Sequence, residues 1–257
     1  MVLSTDKVLC ILFSSGGTAD VGRHAVRAAL DAFQGQLRVL TKNPLALEES
    51  NWNSASGPHS FTKEERDRMD VRAVDFTKAE DLSCHLDGVG AVVSALGNRQ
   101  PLYGDHVAKV GTQKLVKAME SVGVERLVAV TSVGLNEDWP PVEFHWVGNI
   151  LKWLFRTLCW QGSRDLAAAE TIIRQSPSLD YLIVRPVGLG EERKPVNEWF
   201  IQKEKYKDKV GPDMCKLDCA RFVVQEVLEP SYHKQAVVIG SNWENFELNP
   251  PKDEADL

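Results

Sequence analysis

Gly16, Ala19 and Gly22 stand three residues apart in SSGGTADVG, between the apolar run Val8 to Phe13 and a stretch of helical periodicity. That is a G-x-x-G-x-x-G spacing with Ala at the middle position. The first glycine permits a tight turn, and the last lets a helix pack close to the strand before it. Gly16, Gly17, Thr18, Ala19, Asp20, Val21 and Gly22 together form a candidate phosphate loop. Backbone amides at the opening of a helix point at an anion there, and a diphosphate bridge fits best. Small Thr18 and Ala19 keep the approach open. Asp20 is the odd member, because a carboxylate faces the same dipole; it reads as an outward-pointing helix cap. The alternative for the loop is a plain turn, since turns use glycine anyway.

Further polar residues fall where such a loop would need them. Past the second strand-like run stand Thr41 and Lys42, with Arg38 upstream. A carboxylate here would accept from a ribose 2′-hydroxyl; a cation suits a 2′-phosphate instead. NADP(H) is therefore favoured over NAD(H), against the reading of Lys42 as a solvated surface lysine. Asp75 follows the third run and is placed to accept from an adenine amino group, with Phe76 beside the ring. Asp75 as the N-cap of a helix over Thr77 to Leu86 is the other reading, and the two stay open.

The elements that must hold these residues alternate from the start. Strand-type runs are expected at Val8–Phe13, Leu37–Thr41, Asp70–Val74, Ala91–Leu96, Arg126–Ser132, Tyr181–Val184 and Ala236–Ile239. Arg185 and Pro186 end the sixth. Helical spacing follows Thr18, then spans Gly104 to Val122 up to Gly123, and Asp165 to Gln175; Asp218 caps a last helix through Leu228. Alternation of this kind means βαβ units and a parallel sheet covered on both faces. The right-handed crossover rule narrows the topology to an α/β, doubly wound parallel sheet.

Residues 1–248 read as a single domain, with a polar loop insertion at 45–69 beside the adenosine end, and 249–257 as an acidic, frayed tail. The stretch His145 to Trp160 is the most hydrophobic helix candidate, too short to span a bilayer and interrupted by Lys152 and Arg156. It reads as a helix packed over the sheet or over a substrate pocket; peripheral membrane contact through Trp146–Trp160 is the less favoured alternative.

Composition narrows the function classes. The chain has 257 residues, 43% hydrophobic and 26% charged, enough for a core without disulfides or metals. A net charge of −6 argues against sequence-independent nucleic-acid binding. Five cysteines, an odd number, point to reduced thiols, and Cys215 with Cys219 lacks the further ligands a zinc site wants. The opening MVLSTDKVLCILF shows neither a basic leader nor a transit composition. A cytoplasmic location is expected, or an organelle lumen if a targeting segment has been removed.

The chain resembles the atypical short-chain dehydrogenase/reductases, in their NmrA-like and flavin/biliverdin-reductase-B-like branch. Its carriers are SSGGTADVG, VRAVDF around Asp75, AVVSALGNRQ, LVAVTSVG, LAAAETIIRQSPSLDYLIVRPVGL and KLDCARFVVQEVL. The resemblance runs from Lys7 to Gly240 and implies an NAD(P)-binding Rossmann fold. It implies that Ala95, Leu96 and Gly97 lie along the cofactor's ribose and nicotinamide. It implies further that Thr131 and Ser132 lie beneath the nicotinamide ring and that the Pro186–Val187 turn closes over the carboxamide. The active-site serine of the branch maps to Ser132, which would orient the nicotinamide or bond the acceptor; satisfying a strand end is its other role.

Two departures can be counted. The superfamily's usual proton donor is a Tyr four residues before a Lys, but Val107, Arg185, Val210 and Ala236 follow Tyr103, Tyr181, Tyr206 and Tyr232. The helix after Gly162 reads Arg164, Asp165 and Leu166, and the branch's histidine has no match where Leu166 stands. Arg164, Asp165 and Glu170 read as solvated helix charges, or less readily as contacts at the cofactor edge. The expected activity is hydride transfer to a flavin, quinone or similar planar acceptor, whose proton can come from solvent. The alternative is a non-catalytic NADP(H)-binding redox sensor, scaffold or assembly factor. The expected partners are a small-molecule acceptor or a protein.

Overall fold

A computed structural model of the chain describes residues 2–14, 19–47, 61–78, 81–97, 106–135, 160–190, 196–202, 210–211 and 213–241. Strand β1 (Val8–Phe13) leads to helix α1 (Ala19–Ala32) and β2 (Leu37–Thr41). A short helix α2 (Lys63–Asp67) precedes β3 (Met69–Ala73) and β4 (Val89–Ala95). Then come α3 (Val107–Val122), β5 (Arg126–Val130), α4 (Trp160–Gln175) and β6 (Asp180–Pro186). The remainder is β7 (Gly188–Gly190), β8 (Phe200–Gln202), β9 (Asp213–Cys215), α5 (Lys216–Leu228) and β10 (Gln235–Gly240).

Eight strands form one sheet in the order β3-β2-β1-β4-β5-β6-β10-β8. Every pairing is parallel except that of β8 with β10, which is antiparallel. This is the doubly wound α/β sheet the alternation predicts. Strands β7 and β9 form a separate parallel pair.

Burial explains the order. Strand β1 is apolar throughout because both its faces are covered. Leu9, Ile11 and Phe13 pack with Ala25, Ala29, Phe222 and Val223, the layer of α1 and α5. Cys10 and Leu12 face the other way, with Leu115, Met119 and Ile173 from α3 and α4. Each fully buried leucine or phenylalanine contributes roughly 1.5–3 kcal/mol, so the central strand anchors both layers. Helix α3 stops at Gly123, whose φ of 74° is the left-handed conformation glycine adopts without strain.

Several expectations need correction. The insertion at 45–69 is not one polar loop. Pro44–Leu47 is a 3-10 turn and Met69 already belongs to β3. Thr62 and Glu65 form a capping box on α2, while Leu47 and Phe61 are buried. Arg27 of α1 pairs with Glu65 and lies 6.0 Å from the centre of the Phe61 ring. Residues 48–60 lie outside the described residues.

The helix expected over Thr77–Leu86 is not formed. Asp75 and Asp81 turn the chain locally by accepting from the amides of Thr77 and Ser83 at 3.1 and 2.9 Å, and only Ser83–His85 makes a 3-10 turn. Strand β6 runs through Arg185 to Pro186, two residues beyond the expected end. Helix α4 starts at Trp160 rather than Asp165. Helix α5 starts at Lys216, so Asp218 sits inside its first turn and bonds the amides of Val196 and Asn197 at 2.9 and 3.0 Å. The rest of the His145–Trp160 stretch and the 249–257 tail lie outside the described residues.

Candidate functional site

The strand order reverses between β1 and β4, so their carboxyl ends diverge into a crevice. Ligands of open α/β sheets bind at such a point. Phe13 aligns with both Thr41 and Ala95, which puts the ends of β2, β1 and β4 on one edge. Ser14 joins the two lips: its hydroxyl donates to the carbonyl of Gly97 and accepts from the Gly97 amide at 3.3 Å. Sequence reading did not single out Ser14.

Gly22 lies where helix meets strand. A Cβ there would fall 2.3 Å from Phe13 Cβ, far inside van der Waals contact. Only glycine brings α1 this close, and the approach aims the helix N-terminus at the crevice. Asp20 lies within α1, which starts at Ala19, so it does not occupy the flanking cap position. Val21 is buried against the sheet; Gly16, Gly17 and Thr18 lie outside the described residues.

At the β2 end, Thr41 is fully buried and its hydroxyl has no hydrogen-bond partner. A buried orphan hydroxyl is unusual, and a ligand hydroxyl or phosphate would satisfy it. Lys42 Nζ lies 3.2 Å from Asp75 Oδ2, with the two side chains 51% and 24% exposed. Asp75 Oδ1 accepts from the Thr77 amide at 3.1 Å and its hydroxyl at 2.6 Å. Those bonds first, and Lys42 next, hold the Asp75 carboxyl down to about 2. Lys114 on α3 adds a second ammonium, bonded to the Thr77 carbonyl at 2.8 Å. Phe76 does not offer a ring to the crevice. It is 2% exposed and packs under α3, where a Cβ at Gly111 would come within 3.2 Å of it.

The other half of the edge carries Ala95, Leu96 and Gly97 after β4, Thr131 and Ser132 after β5, and Pro186 and Val187 at β6. The ends of β5, β6 and β10 are joined through the backbone. The Thr131 amide bonds Val184, the Val133 amide bonds Pro186, and the Val187 amide bonds Ile239, at 2.9, 3.2 and 3.0 Å. Among the described residues, the Ser132 hydroxyl makes one long contact of 3.4 Å, to the Val133 carbonyl.

Beneath this half lies a buried ion pair. Arg185 and Glu170 are both 0% exposed, and the guanidinium donates from Nε to Oε1 at 3.0 Å and from Nη2 to Oε2. Thr131 Oγ1 donates to Glu170 Oε1 at 2.7 Å. Asp165 is buried as well, and its carboxylate accepts from the amides of Ala108 and Lys109 at 2.9 Å each. It caps α3 from a neighbouring helix. The expectation that Asp165 and Glu170 are solvated is therefore wrong, because each meets donors on another element; Arg164 is exposed.

No Tyr and Lys stand together as a proton-donating dyad among the described residues. Tyr181 lies in β6 with Arg185 four residues on, and α4 carries Gly162 and Leu166. The described residues hold no cluster of three or more metal-ligating side chains. None of the described helices is long and apolar enough to cross a membrane. A cavity of about 420 Å³ lies away from the crevice, lined by Ala28 and Asp31 of α1, Val224 and Leu228 of α5, and Trp199.

An orphan hydroxyl, a glycine that admits no Cβ and flanking cations together suit an anionic ligand at this edge. Solved structures share this architecture. One is a short-chain dehydrogenase/reductase from Veillonella parvula in complex with NADP, at TM-score 0.65 and 15% identity, covering 91% of this chain and 94% of its own. An anaerobilin reductase from Escherichia coli O157:H7 superposes at TM-score 0.64 and 19% identity, covering 91% and 96%. An oxidoreductase from Lactococcus lactis does so at 0.64 and 16%, covering 93% and 97%. No curated protein matches in sequence. The profile of the NAD(P)H-binding family matches residues 16–230, most of the chain, and the protein belongs to that family.

Proposed function

We propose that the protein is an NADP(H)-dependent oxidoreductase that passes hydride to a flavin, quinone or similar planar acceptor. The observation that carries this reading is the Lys42–Asp75 pair beside the orphan Thr41 hydroxyl, at the strand end where an adenosine ribose would lie. A 2′-phosphate competes with Asp75 for the Lys42 ammonium and offers Thr41 an acceptor. A ribose 2′-hydroxyl gains little from a lysine already paired.

A bound nicotinamide supplies the hydride. The chain's own residues supply position: α1 grips the diphosphate, and Ala95 to Gly97 and Pro186–Val187 bound the ring's side of the crevice. Ser132, whose hydroxyl makes one long contact among the described residues, orients the ring or the acceptor. Without the dyad, the acceptor's proton comes from water, which suits a conjugated acceptor better than a simple ketone. The absence of both dyad residues on α4 also supports a second reading, an NADP(H)-binding sensor or assembly factor without turnover.

Titration of NADPH and NADH into the protein tests the first part. The Lys42→Ala variant should lose about tenfold in NADPH affinity, the worth of one charge-assisted bond, and keep its NADH affinity. Equal losses would remove Lys42 from this role. Oxidation of NADPH with a panel of flavins and quinones tests the second part. Tight binding with no turnover on any acceptor would favour the sensor.

A further inference from the structure

Strand β3 ends the eight-stranded sheet, and among the described residues no strand pairs with its outer edge. The Leu37 amide donates to the Arg68 carbonyl and the Val74 amide to the Thr41 carbonyl, each at 2.9 Å. Peptide groups alternate in direction along a strand. Residues 68, 70, 72 and 74 therefore bond to β2, and Met69, Val71 and Ala73 turn their amides and carbonyls outward. Val71 and Ala73 are also exposed, Val71 at 37%. Such an edge is a template for another strand unless charge blunts it. Here the charges have opposite signs two residues apart. Arg72 Nη2 lies 2.7 Å from Asp70 Oδ2, with both side chains partly open to solvent.

A second copy of β3 related by a two-fold axis runs antiparallel to the first. Outward residues then face outward residues, so Asp70, Val71 or Arg72 lies on the axis. The first arrangement sets Asp70 against the partner's Asp70, and the last sets Arg72 against the partner's Arg72. Directly opposed like charges destabilise a sheet. Only the middle arrangement pairs the whole strand. Val71 meets the partner's Val71, Met69 meets the partner's Ala73, and each pair exchanges both backbone bonds. Asp70 meets the partner's Arg72 in the closely spaced pairs between them, on both sides of the axis.

We propose that β3 is the interface of a homodimer in which two sheets join edge to edge across a two-fold axis at Val71. The sequence MDVRA is self-complementary in this register, and its charges reject the neighbouring ones.

Sedimentation equilibrium of the wild type, of Asp70→Arg, of Arg72→Asp and of their equimolar mixture tests it. Wild type should sediment at twice the chain mass. Each variant alone opposes like charges at both positions and should dimerise about tenfold more weakly. The mixture opposes a cation to an anion at both positions and should recover the dimer. A wild type that is monomeric at every concentration overturns the proposal. So do variants that dimerise like the wild type, or a mixture no more dimeric than its components. Near-UV circular dichroism checks that both variants fold. If either does not, deuterium uptake by the wild-type peptide spanning Met69 to Ala73 decides. Uptake should quicken on dilution, and uptake independent of concentration overturns the proposal.

Discussion

The two halves of the crevice both carry an acid paired with a base, and they use it in opposite ways. At the β2 end the Lys42–Asp75 pair is open to solvent, 51% and 24% exposed. At the β5–β6 end the Glu170–Arg185 pair is fully enclosed. Water screens the first pair, so either partner can leave it at little cost and take a new partner. The second pair lost its hydration on folding, and its geometry is fixed by two hydrogen bonds between the partners. One half is built for exchange and the other for fixed geometry. A cofactor that varies at its adenosine phosphate but must present its ring in one orientation calls for that division.

The contrast can be broken most forcefully from the enclosed side. Glu170→Ala removes a two-pronged carboxylate partner from a fully buried guanidinium, which should cost about 3–5 kcal/mol. In a chain of this size that lowers the melting midpoint by roughly 10 °C or more, and a scanning calorimeter reads it directly. A fall of only a degree or two would mean that the Arg185 guanidinium does not depend on Glu170.

Asp165 lies between the extremes, buried but bonded to amides rather than to a charge. Asp165→Ala should cost about 1–2 kcal/mol, the usual worth of a helix cap, measured as a shift in the urea midpoint. Asp75→Ala should cost under about 1 kcal/mol at neutral pH, as exposed pairs do.

The pH dependence of that smallest effect has a definite sign. The Asp75 carboxyl is held down from 3.8 to about 2, chiefly by Thr77 and then by Lys42. Its contribution is therefore complete above the ordinary value of 3.8 and fades as pH falls through 2. Wild type and Asp75→Ala should converge in stability between pH 4 and pH 2, as followed by acid titration of the melting midpoint. A gap that stays constant across that range would deny the carboxylate its part.

Much of this was legible in the residue order. The apolar runs of β1, β2, β4 and β5 gave the sheet because strands covered on both faces need no alternation. Gly22 announced the close helix crossing because no other residue type tolerates it. The short strands β7, β8 and β9 have three residues each and no periodicity to read. Thr62-x-x-Glu65 was a readable capping box inside a stretch whose polar composition suggested only loop.

The enclosed charges were misread for a physical reason. Most helix carboxylates are solvated, and what rescues Glu170 and Asp165 is a partner 15 or 57 residues away along the chain. Only the fold makes those neighbours. One hint stood in YLIVRP, where an arginine continues an apolar strand and so demands a counter-charge. The nicotinamide half was named through family likeness alone; spacing carried the adenosine half.

The cap that Asp165 lends to α3 makes one helix the guarantor of another. Among the described residues, the amides of Ala108 and Lys109 find their acceptor in Asp165 of α4. Their deuterium uptake therefore reports the undocking of α4 rather than the fraying of α3. The two helices should gain protection together, as one cooperative unit beside the crevice.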